Sequence, residues 1–454
     1  MNRRRFLSLF GGAAAGVALG GCATTGRVSR RKPNVVLIVA DDLGYGELSV
    51  QGSKDIPTPH IDSIAANGVR FTDGYVTCPV CSPTRAGLLT GRYQQRFGHE
   101  FNPGPMGSES RAFGLPLTET TLAQRLKHLG YATGMFGKWH LGTRDGYYPT
   151  DRGFDEFYGF LGGAHSYVNA KADAKNPILR GKTAVGELSY STDDFAREAC
   201  GFIERHREQP FFLYVPFNAV HSPMDALDKY MAPFASIRDE KRRTFAGMLS
   251  ALDAGVGSIL GTLDTTGLTD NTLVIFISDN GGPTEQITSG NGPLRGVKGQ
   301  MLEGGIRVPF MMQWPGRIPP GTTVTDPVIS LDVVPTAIAA AGGTLESSSK
   351  VDGVDLAPYV QGQQNAVPRE TLFWRQGPNW AVRKGDFKLV VQTGEPFALY
   401  NLAVDIHEDR NLATQMPEKV KELQADWDAW NANNIAPLWE RSGGERPRAR
   451  ARAG

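Results

Sequence analysis

Four apolar runs constrain this chain more than any other feature. They are Val35-Val36-Leu37-Ile38-Val39-Ala40, the stretch from Tyr131 to Phe136, Phe211-Phe212-Leu213-Tyr214-Val215, and Leu273-Val274-Ile275-Phe276-Ile277-Ser278. A strand with one wet face alternates polar and apolar residues; these runs do not. They predict strands covered on both faces, the condition of a parallel sheet. Helical segments alternate with them. One opens at Thr58-Pro59, with Pro59 suited to the first turn, and repeats Ile61, Ile64 and Ala65. Another, from 243 to 263, puts Phe245, Met248, Leu249, Leu252, Val256, Ile259, Leu260 and Leu263 on one stripe. The alternation predicts an α/β fold with a large, mostly parallel central sheet flanked by helices.

Each run leads into residues able to do chemistry. The first meets Asp41-Asp42, the second Gly137-Lys138-Trp139-His140, the third Asn218 and His221, the fourth Asp279-Asn280-Gly281-Gly282. Ligands of such sheets bind outside the carboxyl ends of the strands, so these residues predict a site. Adjacent aspartates at a strand end need positive compensation. Asp41, Asp42, Asp279 and Asn280 form an all-oxygen set, which favours Ca²⁺ or Mg²⁺ over zinc. The same residues also read as a helix cap and a turn, and spacing leaves both readings open. Lys138 and His140, His221, and Lys298 in the loop Arg295-Gly296-Val297-Lys298-Gly299 bring cations and proton carriers to the same edge. Together they suit an anionic ester whose leaving oxygen needs a proton. Singly, each is more often a surface lysine or a core histidine. Cys81 precedes Pro83 and the helix-like Ala86-Gly87-Leu88-Leu89, where a helix N-terminus would face an anion. Taken alone, a structural or disulfide cysteine is the ordinary reading.

The chain has 454 residues, enough for a large domain and a small one. We expect an α/β domain over 33–365 and a C-terminal subdomain over 366–440. In the latter, Thr371-Leu372-Phe373-Trp374, Trp380-Ala381-Val382 and Phe387-Lys388-Leu389-Val390-Val391 read as a small antiparallel sheet, with a helix through Val420, Leu423, Trp427 and Trp430. The Gly- and Arg-rich stretch 441–454 reads as a disordered tail. Basic and acidic residues nearly cancel (48 against 47), which argues against a nucleic-acid partner.

Residues 1–22 read as an export signal. Arg3-Arg4-Arg5-Phe6-Leu7 resembles a twin-arginine motif, and the apolar run after it is too short to span a bilayer. Leu19-Gly20-Gly21-Cys22 resembles a lipobox with Cys22 as the acylated residue. The expectation is a periplasmic protein or a membrane-anchored lipoprotein. No later stretch reads as a membrane span. The other cysteines, Cys78, Cys81 and Cys200, do not make a disulfide framework.

Cys81-Ser82-Pro83-Thr84-Arg85, followed by Ala86-Gly87-Leu88-Leu89-Thr90-Gly91-Arg92, resembles the type I sulfatase signature C-x-P-x-R with its L-L-T-G-R extension. The resemblance extends through Asp41-Asp42-Leu43-Gly44-Tyr45-Gly46, Gly137-Lys138-Trp139-His140, Ser278-Asp279-Asn280-Gly281 and Lys298-Gly299 to Leu399-Tyr400-Asn401-Leu402. It implies membership of the alkaline-phosphatase superfamily and hydrolysis of sulfate monoesters, of a sulfated small molecule or glycan. It further implies that a maturation enzyme oxidises Cys81 to Cα-formylglycine. The hydrated aldehyde, bound to Ca²⁺ (with Mg²⁺ the less favoured ion), attacks sulfur with one hydroxyl and expels sulfate with the other. Carried over by motif, Asp41, Asp42, Asp279, Asn280 and the modified Cys81 hold the metal. Arg85 supports the formylglycine, and Lys138 and Lys298 bind sulfate oxygens. His221 protonates the leaving group and His140 assists elimination, with Ser166 a further polar residue of the site.

Two departures stand out. Thr84 replaces the commoner serine, and Cys78 lies where it could pair with Cys81 and block maturation. The loops 100–111 and 165–187 are expected to line the mouth. Two other functions compete: a phosphate or phosphonate ester hydrolase of the same superfamily, and a non-catalytic lipoprotein that binds sulfated glycans.

Overall fold

In the computed structural model the described residues are 31–104, 113–365 and 369–440. The predicted export signal with Cys22, and the predicted tail, lie outside them. The apolar runs pair as a ten-stranded sheet. Its spatial order is Thr322–Val324, Val69–Phe71, Phe310–Gln313, Thr272–Ser278, Asn34–Ala40, Phe211–Pro216, Ala132–Lys138, Glu156–Phe160, Leu179–Arg180 and Thr183–Ala184. From Thr272–Ser278 to Glu156–Phe160 every pairing is parallel. Phe310–Gln313 and the short strands at 179–184 run antiparallel to their neighbours.

Burial on both faces explains the unbroken apolar runs. Along Asn34–Ala40, Val36 and Ile38 pack into one cluster with Phe245, Met248 and Leu252 of the helix Glu240–Thr265. Val35, Leu37 and Val39 point the other way, into a cluster with Leu88 and Leu89 of the helix Cys81–Thr90 and Leu122 and Leu126 of the helix Leu122–His128. Glu240–Thr265 is long and apolar enough to cross a membrane by length and composition, which sequence reading did not single out. It is instead a core helix: its Asp253 accepts from the backbone N–H groups of His60 and Ile61, at 3.0 and 2.8 Å. The helix predicted at Pro59 spans Pro59–Ala66.

The C-terminal strands form a separate antiparallel sheet, Thr371–Gln376, Asn379–Lys384, Phe387–Val391 and Ala398–Asn401, covered by the helix Pro417–Asn431. Trp374, Trp427 and Trp430 are buried in one cluster with Leu389 and Leu423, and the partly buried Trp380 packs against it. The fourth strand, Ala398–Asn401, which follows Gly394-Glu395-Pro396, is an addition to the predicted set.

A buried ionic network joins this sheet to the short helix Glu303–Ile306. Lys388 Nζ lies 2.7 Å from Glu303 Oε1 and 3.0 Å from Glu408 Oε1, with all three side chains fully buried. Burial pushes the Glu303 carboxyl up, but Lys388, Arg307 and Arg383 win and hold it at about 2. Removing the shared cation would leave Glu408 without its partner and Glu303 with Arg307 at 3.3 Å, and breaking a buried ion pair typically costs about 3–5 kcal/mol. Lys388→Met is therefore expected to lose about 3–5 kcal/mol in equilibrium denaturation, and a loss below about 1 kcal/mol would refute the network's structural role.

Candidate active site

The carboxyl edge of the parallel strands gathers the predicted residues. Asp41 and Asp42 follow Asn34–Ala40, Lys138 ends Ala132–Lys138, His221 follows Phe211–Pro216, and Asp279 and Asn280 follow Thr272–Ser278. Two bends aim side chains there: Asp42 has φ 64° and His140 has φ 60°. Left-handed backbone is uncommon outside glycine, though Asp and His tolerate it better than most residues.

Cys81 is the first residue of the helix Cys81–Thr90, so the helix N-terminus faces the site. Its Sγ lies 3.6 Å from Asp41 Oδ1. Ligand atoms of Asp41, Asp42, Cys81 and His221 all lie within 4.8 Å of one another. Three cations and a histidine surround the acids. Lys138 Nζ is 2.6 Å from Asp41 Oδ2, and Lys298 Nζ is 2.6 Å from Asp42 Oδ1. Arg85 donates to Asp279 Oδ2 through Nε at 3.0 Å and Nη2 at 2.7 Å, and lies 3.7 Å from Asp41 Oδ1. His221 Nε2 is 3.6 Å from Asp42 Oδ2.

These charges set the titration of the site. Burial raises the Asp41 carboxyl, but Lys138, His221, Arg85 and Lys298 outweigh it and hold the group well below the usual carboxylate range. Asp279 goes the other way, to about 6, because burial and the Asp41 charge outweigh Arg85. The Cys81 thiol is pushed up to about 12 by burial, in spite of Lys138 and Lys298. An unmodified Cys81 is thus a neutral thiol and a poor nucleophile at ordinary pH.

The donor set fits a hard cation. Asn280 donates to Asp42 Oδ1 and Gly281 O, yet its own Oδ1 is buried with no hydrogen-bond partner among the described residues. A buried carbonyl oxygen beside three aspartates is a ready oxygen ligand. Asp279 is more committed than sequence suggested, since its Oδ1 also accepts from the Asp42 N–H at 3.2 Å.

Cys81, His140 and His221 line a cavity of about 330 Å³ with Asn102, Phe113, Arg144 and the backbone stretch 162–164. His140 Nδ1 is buried without a hydrogen-bond partner. Ser166 is not brought in. Its hydroxyl accepts from the N–H groups of Val168 and Asn169, closing a local turn, and the nearby wall belongs to Gly162, Gly163 and Ala164. Of the loops expected at the mouth, 100–111 contributes Asn102, Pro103 and Gly104, whereas 165–187 contributes none of the lining. Cys78 and Cys81 are both free and buried. Thr84, the departure from serine, donates its hydroxyl to Cys78 O at 2.7 Å.

The sulfatase family model matches residues 33–343, more than half of the chain. The chain belongs to the sulfatase family. A second model, N-sulphoglucosamine sulphohydrolase, C-terminal, matches residues 297–429. Human arylsulfatase A is 36% identical over 395 residues, covering 79% of this chain and 74% of that protein. The Escherichia coli sulfatase YdeN, uncharacterised, is 32% identical and covers 87% of this chain and 85% of its own length. Among solved structures, Ps i-CgsB in complex with k-i-k-neocarrahexaose superposes with a TM-score of 0.85 at 36% identity, over 90% of this sulfatase and 95% of that chain. The phosphonate monoester hydrolase of Agrobacterium radiobacter shares the fold, with a TM-score of 0.62 at 23% identity. The protein is a sulfuric ester hydrolase with the alkaline-phosphatase-like sulfatase fold.

Sequence reasoning missed the support behind the sulfatase signature. Ser82 donates its hydroxyl to His140 O at 2.6 Å, and its Oγ lies 2.6 Å from His99 Nε2. Ser82 has one proton and gives it to the carbonyl, so His99 Nε2 must be the donor of the second bond. Asn102 Oδ1 accepts from the Ser82 N–H at 3.0 Å, and Trp439 packs edge-on against His99 with centroids 4.7 Å apart. No strand-end signal marks these loop residues. The C-terminal Trp439 reaches them only through tertiary folding.

Burial pushes His99 down to about 3, well below an ordinary histidine. The folded state therefore refuses a proton that the unfolded chain accepts below about pH 6.5. The stabilisation from neutral His99 is complete above that pH and declines towards pH 3, by about 1.4 kcal/mol per unit. Denaturation of wild type and His99→Gln across this window is expected to show their stability difference shrinking as pH falls. A pH-independent difference would contradict a buried neutral His99.

Proposed function

We propose that this sulfatase hydrolyses sulfate monoesters of carbohydrates with a formylglycine made from Cys81. In this reading Ca²⁺ is held by Asp41, Asp42, Asp279, Asn280 and the modified residue 81. The observation that carries the reading is the setting of Cys81: a buried, neutral thiol at a helix N-terminus, beside Asp41 and two lysines. That setting does not suit thiolate chemistry but suits an oxygen nucleophile next to a cation. When present, the formylglycine supplies that oxygen together with a release route, and Ca²⁺ acts as a Lewis acid.

The chain's own residues do the rest. Lys138 and Lys298 hold the non-reacting sulfate oxygens. Arg85 keeps Asp279 and Asp41 in place beside residue 81. His221 Nδ1 donates to Ser222 O at 2.5 Å, which fixes the ring and leaves Nε2 to face the acids. With Nδ1–H committed to Ser222 O, Nε2 is the nitrogen that would carry the proton given to a leaving alcohol. His140, on the same wall, assists release of sulfate.

A glycan substrate is supported by Ps i-CgsB, solved with k-i-k-neocarrahexaose. Aryl sulfates serve as assay substrates. A formylglycine-generating or sulfatase-maturating enzyme is the partner this chemistry requires. Export through the twin-arginine route, with lipid on Cys22, places the reaction in the periplasm or at a membrane surface. Because that route carries folded proteins, oxidation of Cys81 can precede export. Finding modified protein only after export would refute this order.

Mass spectrometry of the tryptic peptide 71–85 is expected to show the mass loss of thiol-to-aldehyde conversion. Cys81→Ala should abolish turnover, and chelation should reduce it with Ca²⁺ restoring more than Mg²⁺. Sulfate esters should exceed matched phosphate esters by orders of magnitude. A fully active preparation with an intact Cys81 thiol would exclude the proposed nucleophile. A large phosphate preference would favour the phosphate-ester alternative.

A further inference from the structure

Lys298 reaches the site from an irregular loop, outside any helix or strand. Gly296 and Gly299 flank it with φ 96° and 90°, a region open to glycine at no steric cost. Behind the loop, Met301 is buried in the cluster that holds Val390 and Leu399 of the C-terminal sheet, and Leu302 packs against it. A cavity of about 390 Å³, lined by Arg295, Gln300, Gln392, Glu395 and Tyr400 among others, lies beside these contacts.

Hydrogen bonds hold the loop itself. On the site's side, Gly299 N–H donates to Pro79 O at 2.9 Å and Lys298 N–H to Gly282 O at 3.4 Å. Within the loop, Gln300 Oε1 accepts from Val297 N–H at 3.0 Å. The other anchors come from the C-terminal subdomain. Gln392 Oε1 accepts from Met301 N–H at 2.7 Å, and Glu408 Oε2 accepts from Glu303 N–H at 2.7 Å. Arg295 donates to the Tyr400 hydroxyl at 2.9 Å and lies over its ring. These anchors grip both ends of the Lys298 loop. The C-terminal family model also begins at residue 297, so it takes in the lysine with the sheet that holds it.

We propose that Gln392, with Glu408 and Tyr400, is a positioning residue for Lys298, and that the C-terminal sheet sets the lysine's place at the sulfate site. This rests on reading Lys298 as a sulfate ligand. Gln392 touches neither substrate nor metal ligand; it acts through one backbone N–H, three residues from the lysine.

The test is a double-mutant cycle on the full-length matured enzyme with an aryl sulfate. Gln392→Ala is expected to lower kcat/KM about tenfold with Lys298 present, and less than about twofold in a Lys298→Ala background. Gln392→Glu, which keeps the acceptor, should stay within about twofold of wild type, and thermal unfolding confirms that each variant is folded. Additive losses in the two backgrounds, or a folded Gln392→Ala enzyme with normal kcat/KM, would overturn the proposal and leave Lys298 as a ligand. A Lys298→Ala enzyme with near-normal activity would instead overturn the ligand reading, and this proposal with it.

Discussion

Everything at the site depends on keeping buried carboxylates charged. Asp41, Asp42 and Asp279 are essentially inaccessible to water. Desolvating a carboxylate costs several kcal/mol unless compensation is close and well oriented. Arg85, Lys138 and Lys298 supply it at 2.6–2.7 Å. The compensation is uneven: Asp41 is held low while Asp279 is pushed up. In the proposed mechanism acids and bases at this density serve both a divalent cation and an anionic ester, so the cost of burial and the means of catalysis would come from the same atoms.

That compensation needs tight placement, which explains the layers around it. Strand ends deliver the aspartates and Lys138 from rigid parallel neighbours. The helix Cys81–Thr90 brings Cys81 and Arg85 on adjacent turns. Behind these, Ser82 joins His99 to the His140 carbonyl, and Trp439 packs on His99. The C-terminal sheet, far away in sequence, contacts the loop that carries the third cation.

Much of this was legible from residues alone. The unbroken apolar runs gave the parallel strands, because double-sided burial removes alternation. The polar residues after each run gave the site, because parallel sheets open at their carboxyl edge. Cys81 itself was ambiguous until the signature around it was considered. Ser166 was misleading. Its hydroxyl is taken up by Val168 and Asn169 in a local turn, and serines serve such turns as readily as they serve catalysis.

The sequence by itself determined which chemistry-bearing residues follow which strands, since local pattern and strand order are written along the chain. Only the tertiary structure decided how they share charge. Asp279 turned out to be tied to Arg85 and the Asp42 amide, Asn280 kept an unpartnered oxygen, and Cys81 proved too buried to ionise. Desolvation and Coulomb interactions depend on distances between residues up to 256 positions apart, as for Lys298 and Asp42. No spacing along the chain encodes them.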